Sequence, residues 1–77
     1  MPDSGADAGI LTVTDIGYRV WQCRREMGLT QVQAAARCGV GVRFMSDLEN
    51  GKSTIEMGRV LKVLSKLGLK LRVQQAT

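Results

Sequence analysis

The spacing of apolar positions divides the chain into four helical stretches and an alternating tail. In the first stretch Ile16, Val20 and Met27 align on one side, with Arg19, Gln22, Arg25 and Glu26 on the other. Thr14 or Asp15 supplies its cap. In the second, about Gln31–Cys38, Ala34, Ala35 and Cys38 share one face. In the third, about Val42–Glu49, Met45 and Leu48 point inward while Val42, Arg43, Ser46 and Asp47 point outward. The fourth repeats Ile55, Val60, Leu61, Leu64 and Leu67 at helical spacing and turns Arg59, Lys62 and Lys66 to water. Beyond Gly68, Leu69-Lys70-Leu71-Arg72-Val73 alternates strictly, the pattern of a half-buried strand. Ile10–Val13 alternates more weakly and predicts a short strand or an extended arm.

The boundaries carry their own signals. Gly28 stops the first helix, and Thr30 with Gln33 forms a Thr-x-x-Gln capping box that opens the second. Gly39 ends that helix almost at once, and Gly41 opens the third. Asn50-Gly51-Lys52 is the exit turn, with Gly51 in the left-handed conformation. Ser53-Thr54-Ile55-Glu56 reads as a second capping box, opening the fourth helix. Residues 1–9 have turn and disorder composition, so a flexible tail (1–9), a helical domain (10–68) and a strand-bearing tail (69–77) are expected. Two short helices joined by a tight glycine-centred turn make a helix-turn-helix, whose second helix enters the DNA major groove.

The residues Gly28-Leu29-Thr30-Gln31, Ala35, Gly39-Val40 and Met45-Ser46-x-Leu48-Glu49-Asn50-Gly51-Lys52 resemble the lambda-repressor-like (Xre/Cro) helix-turn-helix family, over residues 15–68. The tail GRVLKVLSKLGLKLRV resembles the HipB-type antitoxin branch, in which a final strand follows the last helix. The resemblance implies an all-α fold of four to five helices, plus a short C-terminal β-strand that pairs across a dimer through Leu69, Leu71 and Val73. In that family a helix-one arginine pairs with a glutamate of the third helix, and Arg24 and Glu49 stand at those places. Gln31 matches a glutamine that clamps the DNA backbone, and Asn50, Lys52 and Ser53 match backbone-contacting positions. The chain departs from the pattern at Gly41, where Ser, Thr or Lys is usual, and at Phe44, where a small polar residue is usual.

Composition narrows the chemistry. The 77 residues suffice for one small domain with a modest core. Asp3 and Asp7 are the only charges before residue 15, so the remainder holds 11 basic and 5 acidic residues, a net +6 against +4 for the whole chain. A basic domain suits a polyanionic partner. Arg43 can bond guanine O6 and N7 together, Asp47 can accept from cytosine N4, and Val42 can touch a thymine methyl. Gln31 sits at a helix N-terminus, where free N–H groups favour a phosphate. There is no histidine and no phosphate-cradling glycine loop, and Asp47 and Glu49 diverge on a helix, so an enzyme is not expected. Cys23 and Cys38 are not spaced as a metal site, and no cofactor is expected; Cys38 reads as a buried thiol. Trp21 breaks the helix-one pattern and suits the edge of the core or a subunit contact. The acidic, small Met1–Ala8 is unlike a signal segment and no apolar run approaches about 18 residues, which predicts a cytoplasmic protein with no membrane contact.

The function that the resemblance implies is a homodimeric, sequence-specific repressor on a palindromic operator in double-stranded DNA. It would be the antitoxin of a HipA-like kinase toxin, repressing its own operon. A stand-alone or phage-derived regulator is the alternative within the class, and a protein-interaction module on the same fold is the alternative outside it.

Overall fold

The structure, a computed structural model, describes residues 12–73 and 75. Four helices run through them: α1 (Val13–Glu26), α2 (Gln31–Cys38), α3 (Val42–Glu49) and α4 (Met57–Lys66). The central pair, α2 and α3, has the limits that the sequence predicts. Helix α1 packs against α3, and α2 packs against both α3 and α4. With eight residues each, α2 and α3 are too short to persist alone in water. Burial holds them: Ala34, Ala35 and Cys38 from α2 and Met45 and Leu48 from α3 are at most 3% exposed. Each large side chain so removed from water contributes about 1.5–3 kcal/mol.

Helix α1 starts earlier than its sequence suggested. The cap is Thr12, not Thr14 or Asp15; its Oγ1 accepts from the Asp15 N–H at 3.1 Å and its own N–H donates to Asp15 Oδ2 at 2.9 Å. Asp15 is thus the third helical residue of a capping box, which satisfies two orphan N–H groups reciprocally. Val13 is the first residue of α1, so the Ile10–Val13 strand is not formed at its second half; Ile10 and Leu11 lie outside the described residues. The inner stripe is Ile16, Gly17, Val20 and Arg24. Met27, expected inside, is the C-cap and stays 39% exposed, because Arg24 takes the place one turn deeper. Trp21 is also outside the core, stacked on Tyr18 at 5.8 Å with the Arg25 guanidinium 5.1 Å from its ring. Gly17 is required by packing: a Cβ there would collide with the Leu48 carbonyl oxygen. The backbone of α1 therefore lies directly on the C-terminal end of α3.

Helix α4 departs from expectation at both ends. Ser53 does not cap it. Glu56 does, its carboxylate accepting from the Gly58 and Arg59 N–H groups at 2.9 and 3.0 Å. A carboxylate at that end satisfies two orphan donors and complements the helix dipole. Ser53 and Thr54 are spent in the preceding turn, closed by the Ile55 N–H to the Lys52 carbonyl at 3.2 Å. Along α4 the buried residues are Val60, Val63 and Leu64, followed by Leu67; Leu61, expected inside, is 46% exposed. Val63 replaces it because α2 lies on that side of α4 and touches it there through Cys38, whose Sγ is 3.9 Å from the Val63 carbonyl.

The C-terminal strand is not formed among the described residues. Leu69 and Leu71 rest half-buried against the core, Lys70 and Arg72 are exposed, and Val73 stands 94% exposed. The alternation is real as far as Leu71, but a strand needs a neighbouring backbone to pair with. No strand among the described residues offers one. No described helix is long and apolar enough to cross a membrane.

Candidate nucleic-acid interface

The α2–α3 turn is fixed by short-range bonds. Thr30 caps α2 with its side chain accepting from the Gln33 N–H at 3.1 Å, while the Gln33 side chain accepts from the Thr30 N–H at 2.9 Å. Gly39 adopts φ 71°, Val40 donates back to the Ala35 carbonyl at 3.0 Å, and Gly41 opens α3 without a side-chain cap. The Lys62 ammonium donates to the Gly39 carbonyl at 3.2 Å, tying this turn to α4. The exit of α3 is as tight: Gly51 has φ 75°, and a Cβ there would press on Thr14 of α1 at 2.7–3.0 Å. Only glycine meets both requirements.

Beneath the outward face lies an ionic network. Arg24 donates from Nε to Glu49 Oε2 at 2.7 Å and from Nη2 to Oε1 at 2.8 Å, and from Nη1 to the Leu29 carbonyl at 3.0 Å. Gln31 Nε2 donates to the same Oε1 at 3.1 Å. The Arg24 and Glu49 side chains are 11% and 4% exposed. The hydrogen bond to Glu49 raises the Arg24 pKa still further, against the opposing effect of burial. The network joins α1, the start of α2 and the end of α3, so it sets the orientation of α3 relative to the N-terminus of α2. Gln31 spends one amide N–H on Glu49 and keeps a second donor.

The outward row of α3 is Val42, Arg43, Ser46 and Asp47, with Asn50 following. Val42 is 46% exposed and stands alone. The Arg43 side chain, 88% exposed, leans on Asp47 with Nε 3.4 Å from Oδ1, and Lys52 Nζ lies 3.6 Å from the other carboxylate oxygen. The Asn50 amide reaches Ser46 Oγ at 3.4 Å. Arg43, Asp47 and Lys52 are thereby brought into one small cluster and Ser46 and Asn50 into a second, while Gln31 belongs to the Arg24–Glu49 network. Ser53 stands apart in the turn, exposed. Of the three tail residues, Leu69 and Leu71 face the core and Val73 does not, so they do not share one outward face.

Phe44 is half-buried against the core, and the Arg59 guanidinium of α4 lies 5.7 Å from its ring centroid. Its departure from a small polar residue is therefore met by a neighbouring helix. Arg59 and Lys62 are two contributors to the site's framework that sequence reasoning assigned only to solvent. Their partners lie 15 and 23 positions away, beyond any periodic signal.

Two short helices around a glycine turn, with a polar row on the second and a buried Arg–Glu pair behind it, define a helix-turn-helix domain. The helix-turn-helix family model matches residues 22–74, and the chain belongs to that family. Over 64 residues it is 45% identical to the "Uncharacterized HTH-type transcriptional regulator y4mF" of Sinorhizobium fredii (strain NBRC 101917 / NGR234), spanning 83% of this chain and 84% of that protein. Among solved structures it is similar to a HipB–O4 20mer complex, at 23% identity and TM-score 0.76, covering 90% of this chain and 97% of that one. It is similar at the same TM-score to a HipA–HipB–O2–O3 complex, at 22% identity and the same coverage. At these identities the two structures establish the fold.

Proposed function

We propose that this chain is a sequence-specific, DNA-binding transcriptional repressor, acting without catalysis in the cytoplasm. The observation that carries the reading is the row Val42, Arg43, Ser46 and Asp47 on the outward side of α3, held in place from behind by Arg24 and Glu49. Arg43, Ser46, Asp47 and Val42 read base edges in the major groove, and Gln31, Asn50, Lys52 and Ser53 hold the phosphate backbone. The similar protein named as an HTH-type transcriptional regulator supports the class.

The finer reading is an antitoxin of a HipA-like kinase toxin that represses its own operon as a homodimer on a palindromic operator. Its support is likeness to a solved HipB–O4 20mer complex and to a solved HipA–HipB–O2–O3 complex. The dimer is supported by an open groove of about 420 Å³, lined by Leu61, Leu64, Leu69 and Leu71 together with Ser65 and Lys70. Strand pairing of Leu69–Val73 with a second copy covers that groove and provides the missing backbone partner. The division into a tail (1–9), a domain (10–68) and an assembly segment (69–77) belongs to the same proposal. A stand-alone or phage-derived regulator is the second reading; it needs no more than the regulator class that the similar protein's name gives.

A gel shift against the DNA upstream of the coding frame tests the class; no retardation above that of scrambled duplex would remove it. Co-purification with the product of the neighbouring frame separates the antitoxin from the stand-alone regulator.

A further inference from the structure

We propose that Asp47 is a charge brake that sets selectivity, holding Arg43 and Lys52 away from DNA until a matching base pair replaces it. The proposal rests on the DNA-binding reading above. Each Asp47 carboxylate oxygen engages one cation, Oδ1 with Arg43 at 3.4 Å and Oδ2 with Lys52 at 3.6 Å. The three groups thus form a plus–minus–plus line along the face assigned to DNA. The geometry is not incidental to Lys52, whose backbone N–H donates to the Asp47 carbonyl at 3.0 Å and so anchors the lysine beside it.

Helix stability explains little of this carboxylate, whose i,i+4 pair with Arg43 sets the cation N-terminal to the acid, the less favourable order. It stands in the last turn of α3, where the helix dipole disfavours negative charge, and α3 has no basic residue in that turn. The Asp47 side chain is also the least exposed of the three, at 26% against 88% for Arg43 and 52% for Lys52. The cations can therefore swing away while the carboxylate stays.

The consequence for binding follows from competition. Phosphates and Asp47 compete for the same two cations. A random duplex offers phosphates in exchange but nothing for the carboxylate, which is left facing a polyanion. A duplex with guanine opposite Arg43 and cytosine opposite Asp47 replaces both partners, since O6 and N7 accept from the arginine and N4 donates to the aspartate. The carboxylate thus weakens every complex but weakens the matching one least, which is selectivity by penalty on the wrong partner.

The test uses the full chain carrying Asp47→Asn, with Glu26→Gln as a control that removes an exposed charge from α1. Binding is measured by fluorescence anisotropy on a short random-sequence duplex and on the upstream duplex, over a range of salt. Asp47→Asn should tighten binding to the random duplex by about threefold to tenfold, the range set by two exposed ion pairs. It should steepen the salt dependence and lower the ratio of upstream to random affinity. The gain should shrink when Arg43→Ala and Lys52→Ala are added. An unchanged or weaker random-duplex affinity overturns the proposal. So does an equal gain in Glu26→Gln, or a full gain without Arg43 and Lys52. If the unaltered protein binds neither duplex, the DNA-binding reading itself is what has failed. Thermal unfolding of Asp47→Asn should show only the small loss that two exposed ion pairs allow; a large drop in Tm would make Asp47 a structural residue and overturn the proposal.

Discussion

Arg24 and Glu49 form a two-pronged ion pair, at 2.7 and 2.8 Å, between the first and third helices, with almost no access to water. The same carboxylate receives Gln31 at 3.1 Å, and the same guanidinium holds the Leu29 carbonyl at 3.0 Å. One charge pair therefore connects the last residue of α3 to the segment that opens α2. Such a pair adds little net stability over an apolar replacement, but its geometry is demanding. Its value here is positional: it holds the outward row of α3 in register with the N-terminus of α2.

Breaking this pair from one side should be costly. Arg24→Ala leaves the Glu49 carboxylate buried without its cation, and a loss of about 3–5 kcal/mol is expected. Replacing both with apolar residues of similar size should recover most of that loss while weakening DNA binding. Urea unfolding of the three variants checks the stability order. A mild effect of Arg24→Ala would mean that water reaches Glu49.

Base reading and backbone holding should separate by substitution. Arg43→Ala should cost about 1–3 kcal/mol on the preferred site and relax preference at one position. Lys52→Ala should weaken binding across all duplexes and reduce the salt slope by about one. Equal losses for Arg43→Ala on preferred and scrambled duplexes would reassign Arg43 to phosphate.

The buried thiol predicts an alkaline weakness. Burial pushes the Cys38 pKa up from the ordinary thiol value of 9.0, because the thiolate would form in the core. A raised folded pKa means that the unfolded chain releases this proton first. The contribution is intact below pH 9.0 and is lost as pH rises from there toward the folded value. Stability measured above that pH should fall more steeply for the unaltered chain than for Cys38→Ala, although the alanine chain is less stable at neutral pH. Parallel pH profiles would contradict the assignment.

Deleting residues 70–77 should leave a folded but largely monomeric protein with most operator affinity gone. Leu69 remains, its N–H bonded to the Leu64 carbonyl at 2.8 Å, so the C-terminal end of α4 keeps its closure. Sedimentation of the truncated chain decides the point. A tight dimer would move assembly to the exposed side of α4 near Leu61.

The limits of α2 and α3 were legible in the sequence because each is set within four residues, by Thr30 with Gln33, by Gly39, and by Gly41. The outward row of α3 follows from helical periodicity for the same local reason. The cap of α1 was not legible, since Thr12, Thr14 and Asp15 are all competent and only the formed helix selects among them. Nor was the choice of Val63 over Leu61, which depends on how α4 is turned against α2. Arg24 and Glu49, 25 positions apart, were reached through family resemblance rather than periodicity, and the bonds that Gln31 and Arg59 make were not reached at all. Local caps and periodicity act through neighbours in the chain, so the sequence by itself determined where the helices of the turn begin and end. Burial, ionic pairing and strand formation act between residues that only the packed helices bring together. For the tail the deciding neighbour is a backbone that α1–α4 do not supply, so alternation alone leaves Leu69–Val73 without a ladder.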